Sequence, residues 1–302
     1  MIALESKTID YEKVLRSLLQ KAVRRGDKIL AETVFKRLYI IGNKSWLRQR
    51  LAVISAEECW PICSRLEPDA LDYRQLLRFL LIITGSCKDK SAAGLGSLGY
   101  ELSNGDKSVL TGSKEDKHIK IIAAGVERPE SFWPWAKAQC INKEQNCLAD
   151  NAKYFFNKGG LPWDRAFFVA ATYLSITNIQ VPIDGPLAPA KNLPLWAAFD
   201  KHTKDGRLIL KKVSSLAKLN FDTVKILNFY YESCNTNCSK KSYWWEREVH
   251  WRLAKYNLNP EEASVLWEKV KPLFLGEVLP YSILLQNYLE GKFLQQSAMH
   301  LN

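Results

Sequence analysis

The basic stretch from Asp200 to Arg207 has the composition of a phosphate-binding segment. Lys201, Lys204 and Arg207 could neutralise phosphates, and Thr203 between them could donate a hydrogen bond. The same residues could form a solvated loop ahead of the helix that follows. We treat the three basic residues as candidate nucleic-acid contacts.

A second basic stretch, from Tyr243 to Arg252, is rich in aromatic residues. Trp244 and Trp251 are seven residues apart, so on a helix they lie on one side with Arg247 between them. Aromatic rings together with arginine can stack on unpaired bases. Core packing is the alternative for the tryptophans. These three residues are the second set of candidate nucleic-acid contacts.

The segment Gly94 to Gly99 matches the spacing G-x-G-x-x-G of dinucleotide-binding loops. Such a site needs a strand before it and a helix after it, whereas a helix and a lysine-rich loop precede it here. We interpret the segment as a flexible loop. The sequence also lacks the G-x-x-x-x-G-K-[ST] motif that cradles ATP phosphates, so neither ATP binding nor ATP hydrolysis is predicted.

A metal site is not predicted either. Cys234 and Cys238 could begin one, but structural zinc needs four ligands, usually arranged as two pairs. The four histidines of the chain are unpaired in the sequence. We therefore expect no metal and no other cofactor.

No residue is assigned a catalytic role. Glu57 and Glu58 are adjacent, so on a helix they point about 100° apart and cannot face each other as an acid–base pair. We expect them to be structural acids, paired with Arg48 or Arg50. His202 could pair with a neighbouring aspartate, but no nucleophile lies nearby in the sequence. An enzyme of an unrecognised kind stays open as an alternative.

The order of motifs between residues 24 and 61 resembles the helical region that follows the ATPase module in the replication-associated recombination protein A family, also called the maintenance of genome stability protein A family. These proteins are clamp-loader-like AAA+ ATPases. In them an Arg-Gly-Ser/Asp opening precedes one helix, and a second helix carries paired basic residues and an acidic ending. The matching positions here are Arg25, Gly26, Arg50, Glu57 and Glu58.

The resemblance also has departures and a weaker continuation. Glu58 stands where the family has aspartate, and Gln49 stands where a second arginine is common. A weaker similarity runs over residues 164–176 and continues through residues 181–183 and 188–191. In the family this region holds subunits together, so the resemblance implies a homo-oligomer or a complex with a separate replication or recombination ATPase. It implies an accessory protein that lacks the ATPase module itself.

Hydrophobic residues recur at helical spacing along most of the chain and never alternate over a useful length, which predicts an all-α fold. We expect helices near residues 10–23, 28–40, 45–58 and 68–84, then others after residue 130, with separate helices starting near residues 260 and 280. Residues 85–125 are rich in glycine and lysine and are expected to be mobile and open to proteases. The predicted organisation is a helical unit at 1–85, a flexible insertion at 86–129 and a larger helical unit at 130–302.

The net charge of +11 favours contact with a polyanion such as DNA. A stand-alone basic protein that binds single-stranded DNA, such as one encoded by a mobile element, is therefore a second hypothesis beside the assembly protein. The sequence has no apolar run of the roughly 20 residues that span a bilayer. Its seven cysteines are scattered and odd in number, which fits reduced thiols. We expect a cytoplasmic protein without a membrane partner.

Overall fold

A computed structural model describes residues 9–177, 193–236 and 240–291. Within these ranges the fold is all-α, as predicted, with thirteen α-helices and no β-strand. The helices are α1 Tyr11–Arg25, α2 Lys28–Ile41, α3 Lys44–Cys59, α4 Tyr73–Gly85, α5 Ser91–Ser103, α6 Asp116–Glu127, α7 Pro129–Gln139, α8 Lys143–Asn157, α9 Pro162–Thr177, α10 Lys204–Ala217, α11 Phe221–Asn228, α12 Tyr243–Ala254 and α13 Pro260–Leu289. Short 3₁₀ turns cover Trp60–Arg65, Lys107–Val109 and Leu195–Ala198, and a π-helical turn covers Phe229–Ser233.

Local capping explains where the first helices begin and end. The Asp10 carboxylate accepts a hydrogen bond from the Lys13 backbone N–H at 3.2 Å and so starts α1. Gly26 ends that helix with a left-handed φ of 71°, which glycine adopts without a steric penalty. Asp27 then caps α2 by accepting from the Leu30 backbone N–H at 3.0 Å. These caps confirm the predicted positions of the first two helices.

The prediction of a flexible insertion at residues 86–129 is wrong. Most of this segment forms α5 and α6, and α5 lies against α6, α9 and α12. Three glycines of α5 allow these helices to approach closely: an added Cβ would lie 2.3 Å from the Trp244 carbonyl oxygen at Gly94, 2.8 Å from the Phe167 ring at Gly96 and 2.5 Å from the Ile122 side chain at Gly99. The glycines therefore serve helix packing, and the dinucleotide-like spacing belongs to a buried helix.

The lysines at the start of this segment are buried rather than solvated. Lys88 is fully buried, and its Nζ donates to the carbonyl oxygens of Ile83, Thr84 and Ser86 at 2.6, 3.1 and 2.8 Å. It thus satisfies carbonyls at the end of α4 that have no helical partner. The buried apolar side chains form one cluster that includes residues from before, within and after this segment. The boundaries at residues 85 and 130 stay predictions, and the core runs across both.

The C-terminal helices differ from the sequence expectation in one respect. The predicted start at Asn259 is correct, since its side chain and that of Glu262 form a reciprocal capping box. The helix then continues to Leu289, although separate helices were predicted. Pro272 and Pro280 both lie on its exposed side. Water can reach the carbonyls that these prolines leave unpaired there, so one helix accommodates both.

Candidate nucleic-acid interface

A turn held by Asp200 positions the start of α10. The Asp200 carboxylate accepts from the His202 backbone N–H at 2.9 Å, and the Asp200 carbonyl oxygen accepts from the Thr203 N–H at 3.1 Å. Thr203 then caps α10 by accepting from the Gly206 N–H at 3.0 Å through its hydroxyl. An added Cβ at Gly206 would lie only 2.1 Å from the Asp200 carbonyl oxygen. The sequence therefore fixes both the turn and the direction of the helix that follows.

Basic residues line one exposed face of α10, and we call this surface the α10 basic face. It consists of Lys204, Arg207, Lys211 and Lys218. Lys204, Arg207 and Lys211 are three and four residues apart, which keeps them on one side of the helix, and exposed Lys218 follows at its left-handed C-cap. Among the described residues, none of the four forms an ion pair with a carboxylate. The face extends over about 21 Å at the usual helical rise of about 1.5 Å per residue.

The charge of this face is of one sign. Asp205, the acid of α10, is buried on the other side, and burial raises the pKa of its carboxyl group. Lys212 points toward α13, where it pairs with Glu277 at 2.6 Å. The α10 basic face can therefore neutralise several phosphates without first breaking an ion pair. Two of its members, Lys204 and Arg207, were predicted from the sequence, while Lys211 and Lys218 were missed, although their helical spacing from Lys204 could have revealed them.

Lys201 does not share this exposed face. It is half-buried, and its Nζ lies 3.5 Å from the centroid of the Phe229 ring. Burial lowers the pKa of its ammonium group. Its carbonyl oxygen accepts from the Arg207 guanidinium at 3.2 Å. The structure thus separates Lys201, a packing residue, from the two other basic residues of its predicted set.

Arg247 also lies in the fold rather than at an open surface. Its guanidinium pairs with Asp116 of α6 and donates to the Val109 carbonyl oxygen at 2.9 Å. Burial would raise the pKa of Asp116, but the hydrogen bond from Arg247 and backbone N–H groups lower it. This pair joins α12 to the start of α6. A phosphate could reach Arg247 only by displacing Asp116.

The two tryptophans of that set are half-buried and share no open stacking surface. Trp251 donates from Nε1 to the Ser108 hydroxyl at 3.0 Å, and the Lys255 ammonium lies 4.0 Å from its ring centroid. Trp244 packs edge-on against His118 at a centroid distance of 5.6 Å. Trp244, Arg247 and Trp251 together hold residues 108–118 against α12. The predicted stacking site on this side of α12 is therefore a packing contact in the structure.

The residues that carry the family resemblance meet in a buried charge network. Glu58 is fully buried and accepts from Arg24 Nε at 2.7 Å, while Glu57 accepts from the same guanidinium at 3.0 Å. The expected partners Arg48 and Arg50 were wrong, because α1 rather than an earlier turn of α3 supplies the cation. The sequence positions of Glu57 and Glu58 could not reveal a partner more than thirty residues earlier.

The same network reaches three further parts of the chain. Lys90 Nζ, ahead of α5, lies 3.5 Å from the free oxygen of Glu58. Arg25 donates to the Glu232 carbonyl oxygen at 2.7 Å, and Arg50 donates to Gln20 of α1. Burial alone would raise the pKa of Glu58, but the charges of Arg24 and Lys90 outweigh burial and lower the pKa to about 2. These residues thus stabilise the junction of α1, α3 and α5.

A histidine–aspartate pair does form, as the sequence allowed. His202 Nδ1 lies 3.0 Å from the buried Asp200 carboxylate, which also accepts from Lys21 Nζ at 2.7 Å. The imidazole ring then packs edge-on near Phe229. The pair orients the turn ahead of α10. No catalytic role follows from this geometry.

Comparisons with known proteins give no relative. No family model, no curated protein and no solved structure matches the chain. In the part of the chain that the structure describes, no three or more His, Cys, Asp or Glu side chains cluster so that they could hold a metal ion. The same part contains no helix that is both long and apolar enough to cross a membrane. Cys238 and residues 181–191, which carried part of the sequence interpretation, lie outside the described residues.

Proposed function

We propose that this protein is a DNA-binding accessory protein of replication or recombination, which holds nucleic-acid strands through phosphate contacts along the α10 basic face. The observation that carries the proposal is the row of four exposed cations without carboxylate partners among the described residues. Phosphate contacts of this kind fix a protein on a strand without reading its sequence. The net charge of +11 would add long-range attraction to the same partner.

The link to replication or recombination rests on the resemblance of residues 24–61 to the helical region of the clamp-loader-like family. Arg25, Glu57 and Glu58 belong to one network that joins several helices. A structural role for these residues would suit a helical assembly module. The two roles are compatible, because the network is buried in the fold whereas the α10 basic face is exposed.

A salt titration tests the proposed contact. We expect binding to single-stranded DNA without sequence preference, with affinity falling as salt rises because phosphate contacts release counterions. For four phosphate contacts on a single strand, the logarithm of the binding constant plotted against the logarithm of the salt concentration should have a slope of about −3. The measurement is fluorescence anisotropy of labelled oligonucleotides of mixed sequence. Absence of binding at about 50 mM salt, in protein shown to be folded, would exclude the proposal.

A second candidate function, assembly with protein partners, is favoured by exposed apolar residues on α10 and α13. Leu216, Val265, Leu279 and Ile283 expose 51, 58, 44 and 58% of their surface. Val265 and Ile283 are eighteen residues apart, so they lie on one side of α13. Leu279 and Ile283 are four residues apart and adjoin each other on α13, and adjoining apolar residues at a surface are typical of protein interfaces. Light scattering after size exclusion should show an oligomer that Val265→Lys with Ile283→Lys dissociates, and a monomer at every concentration would contradict self-assembly.

A further inference from the structure

Five rings from four helices form a continuous series of contacts, which we call the aromatic row. Trp135 of α7 is stacked on Tyr173 of α9 at a centroid distance of 6.4 Å. Tyr173 shares a 2.6 Å hydrogen bond with Nδ1 of His118 on α6. His118 meets Trp244 of α12 at 5.6 Å, and Trp244 meets Tyr243 edge-on at 4.9 Å. Residues far apart in the sequence are thus brought into one series.

The two ends of the aromatic row are open to solvent. Trp135 exposes 41% and Tyr243 exposes 53% of its surface, whereas Tyr173 between them is buried. The packed rings hold both exposed rings in place, so little side-chain freedom would be lost when a planar ligand stacks on them. Trp135 also lies 5.7 Å from the buried Phe132 ring, measured between centroids. Exposed, supported aromatic rings are the usual platform for unpaired bases.

Exposed charges of both signs lie near the row in sequence. Two neighbouring acids are already engaged, because Glu115 lies 3.3 Å from the His118 ring and Asp116 pairs with Arg247. Three exposed lysines near the row in sequence form no ion pair within the described residues: Lys114, Lys117 and Lys241. Exposed Glu130 and Glu246, which lie near Trp135 and Tyr243 in sequence, form no ion pair within the described residues either. The attraction of a polyanion to this surface therefore comes from the net charge of +11.

We propose that the aromatic row binds a single strand of nucleic acid, with bases stacked on Trp135 and Tyr243 and phosphates near the flanking lysines. The inference rests on the proposed function, since it takes nucleic acid as the partner. It also specifies that the nucleic acid is single-stranded, because bases expose their faces only when they are unpaired. The α10 basic face contacts phosphates in any strand, and the aromatic row would select single strands.

An abasic oligonucleotide separates the two surfaces. It keeps the phosphates of an oligothymidylate of the same length, about 16 nucleotides, and removes the bases. We expect the wild-type protein to bind the thymidylate about fivefold to a hundredfold more tightly for each stacked base. The variant Trp135→Leu with Tyr243→Leu should lose this preference and keep its affinity for the abasic strand. The matched control is Trp163→Leu, an exposed tryptophan with a separate edge-on contact to Tyr100 at 6.3 Å.

The possible results separate failure of base stacking on the aromatic row from failure of phosphate binding by the α10 basic face. Equal affinity of the wild-type protein for both strands would overturn base stacking and leave phosphate binding intact. A preference that survives in the folded double variant would show that the bases bind elsewhere and would also overturn the inference. Binding of the thymidylate without any binding of the abasic strand would support the row and contradict the α10 contact. If the double variant unfolds, Tyr243→Leu alone serves, since this exposed ring packs against Trp244 and its hydroxyl accepts only a long 3.4 Å hydrogen bond from Arg247.

Discussion

At the scale of single residues, partners distant in the sequence decide which charges are available for binding. Arg247 and Arg207 look alike in sequence, each lying in a basic stretch, but Asp116 binds the first and no carboxylate among the described residues binds the second. Glu58 likewise finds its partner in Arg24 of α1 rather than in a neighbour on α3. A sequence pattern identifies the type of a group and leaves its partner undetermined.

Arg247→Ala should destabilise the fold without changing the salt dependence of DNA binding. The substitution leaves the buried Asp116 carboxylate without its cation, which typically costs about 3 to 5 kcal/mol. Arg207→Ala is the matched control, because Arg207 is exposed and its loss should leave the free energy of unfolding nearly unchanged. Urea denaturation measures both variants. Equal stability of the two proteins would show that the Arg247 pair is not structural.

The buried carboxylate of Glu58 should make the folded protein less stable in acid. Its folded pKa is lowered to about 2 from an ordinary value of 4.5, so the contribution of its carboxylate is present above pH 4.5 and is lost as the pH falls toward 2. Glu58→Gln should cost about 3 to 5 kcal/mol near neutral pH, because Lys90 then lacks its counter-charge and Arg24 keeps only Glu57. The difference between wild type and variant should shrink in acid. Urea unfolding at several pH values measures this difference, and Glu67→Gln at an exposed position is the control. If the stability difference between wild type and Glu58→Gln did not change with pH, the lowered pKa of Glu58 would be contradicted.

At the scale of elements, the sequence predicted those helices whose ends are capped by nearby residues. It failed where contacts between distant parts of the chain determine whether a helix forms. The caps at Asp10, Gly26 and Asn259 involve only residues close in the sequence, and those helix ends were predicted correctly. Helix α5 was missed because glycine disfavours an isolated helix. Here α6, α9 and α12 lie so close to α5 that a side chain larger than hydrogen does not fit. The continuous α13 was missed because its prolines face solvent.

Two glycine substitutions should change stability in opposite directions. Gly94→Ala places a methyl group 2.3 Å from the Trp244 carbonyl oxygen, and this overpacking should cost about 1 to 3 kcal/mol. Gly276→Ala on α13 meets no atom within 4 Å, so it should stabilise by up to about 1 kcal/mol through helix propensity alone. Thermal or urea unfolding compares the two. Stabilisation by Gly94→Ala would mean that α5 does not pack as closely as described.

At the scale of the whole molecule, the excess positive charge is spread unevenly between structural and exposed positions. Lys21, Arg24, Lys88 and Lys90 are buried in the interior, where carboxylates or carbonyl groups compensate them. The cations of the α10 basic face are exposed instead. The net charge of +11 therefore predicted a polyanion partner but not its location. The candidate site became visible only when buried bases were separated from exposed ones.

Two triple variants with the same net charge test most directly whether the α10 basic face binds the strand. One changes Lys204, Arg207 and Lys211 to Gln, and the other changes Lys28, Lys143 and Lys153, which are exposed elsewhere. Salt titrations of single-stranded DNA binding measure both. The first variant should bind more weakly and lose about 2 from the log–log slope, since each phosphate contact contributes about 0.7. The second should keep the wild-type slope. Equal slopes for the two variants would show that overall charge, and not the α10 basic face, holds the strand.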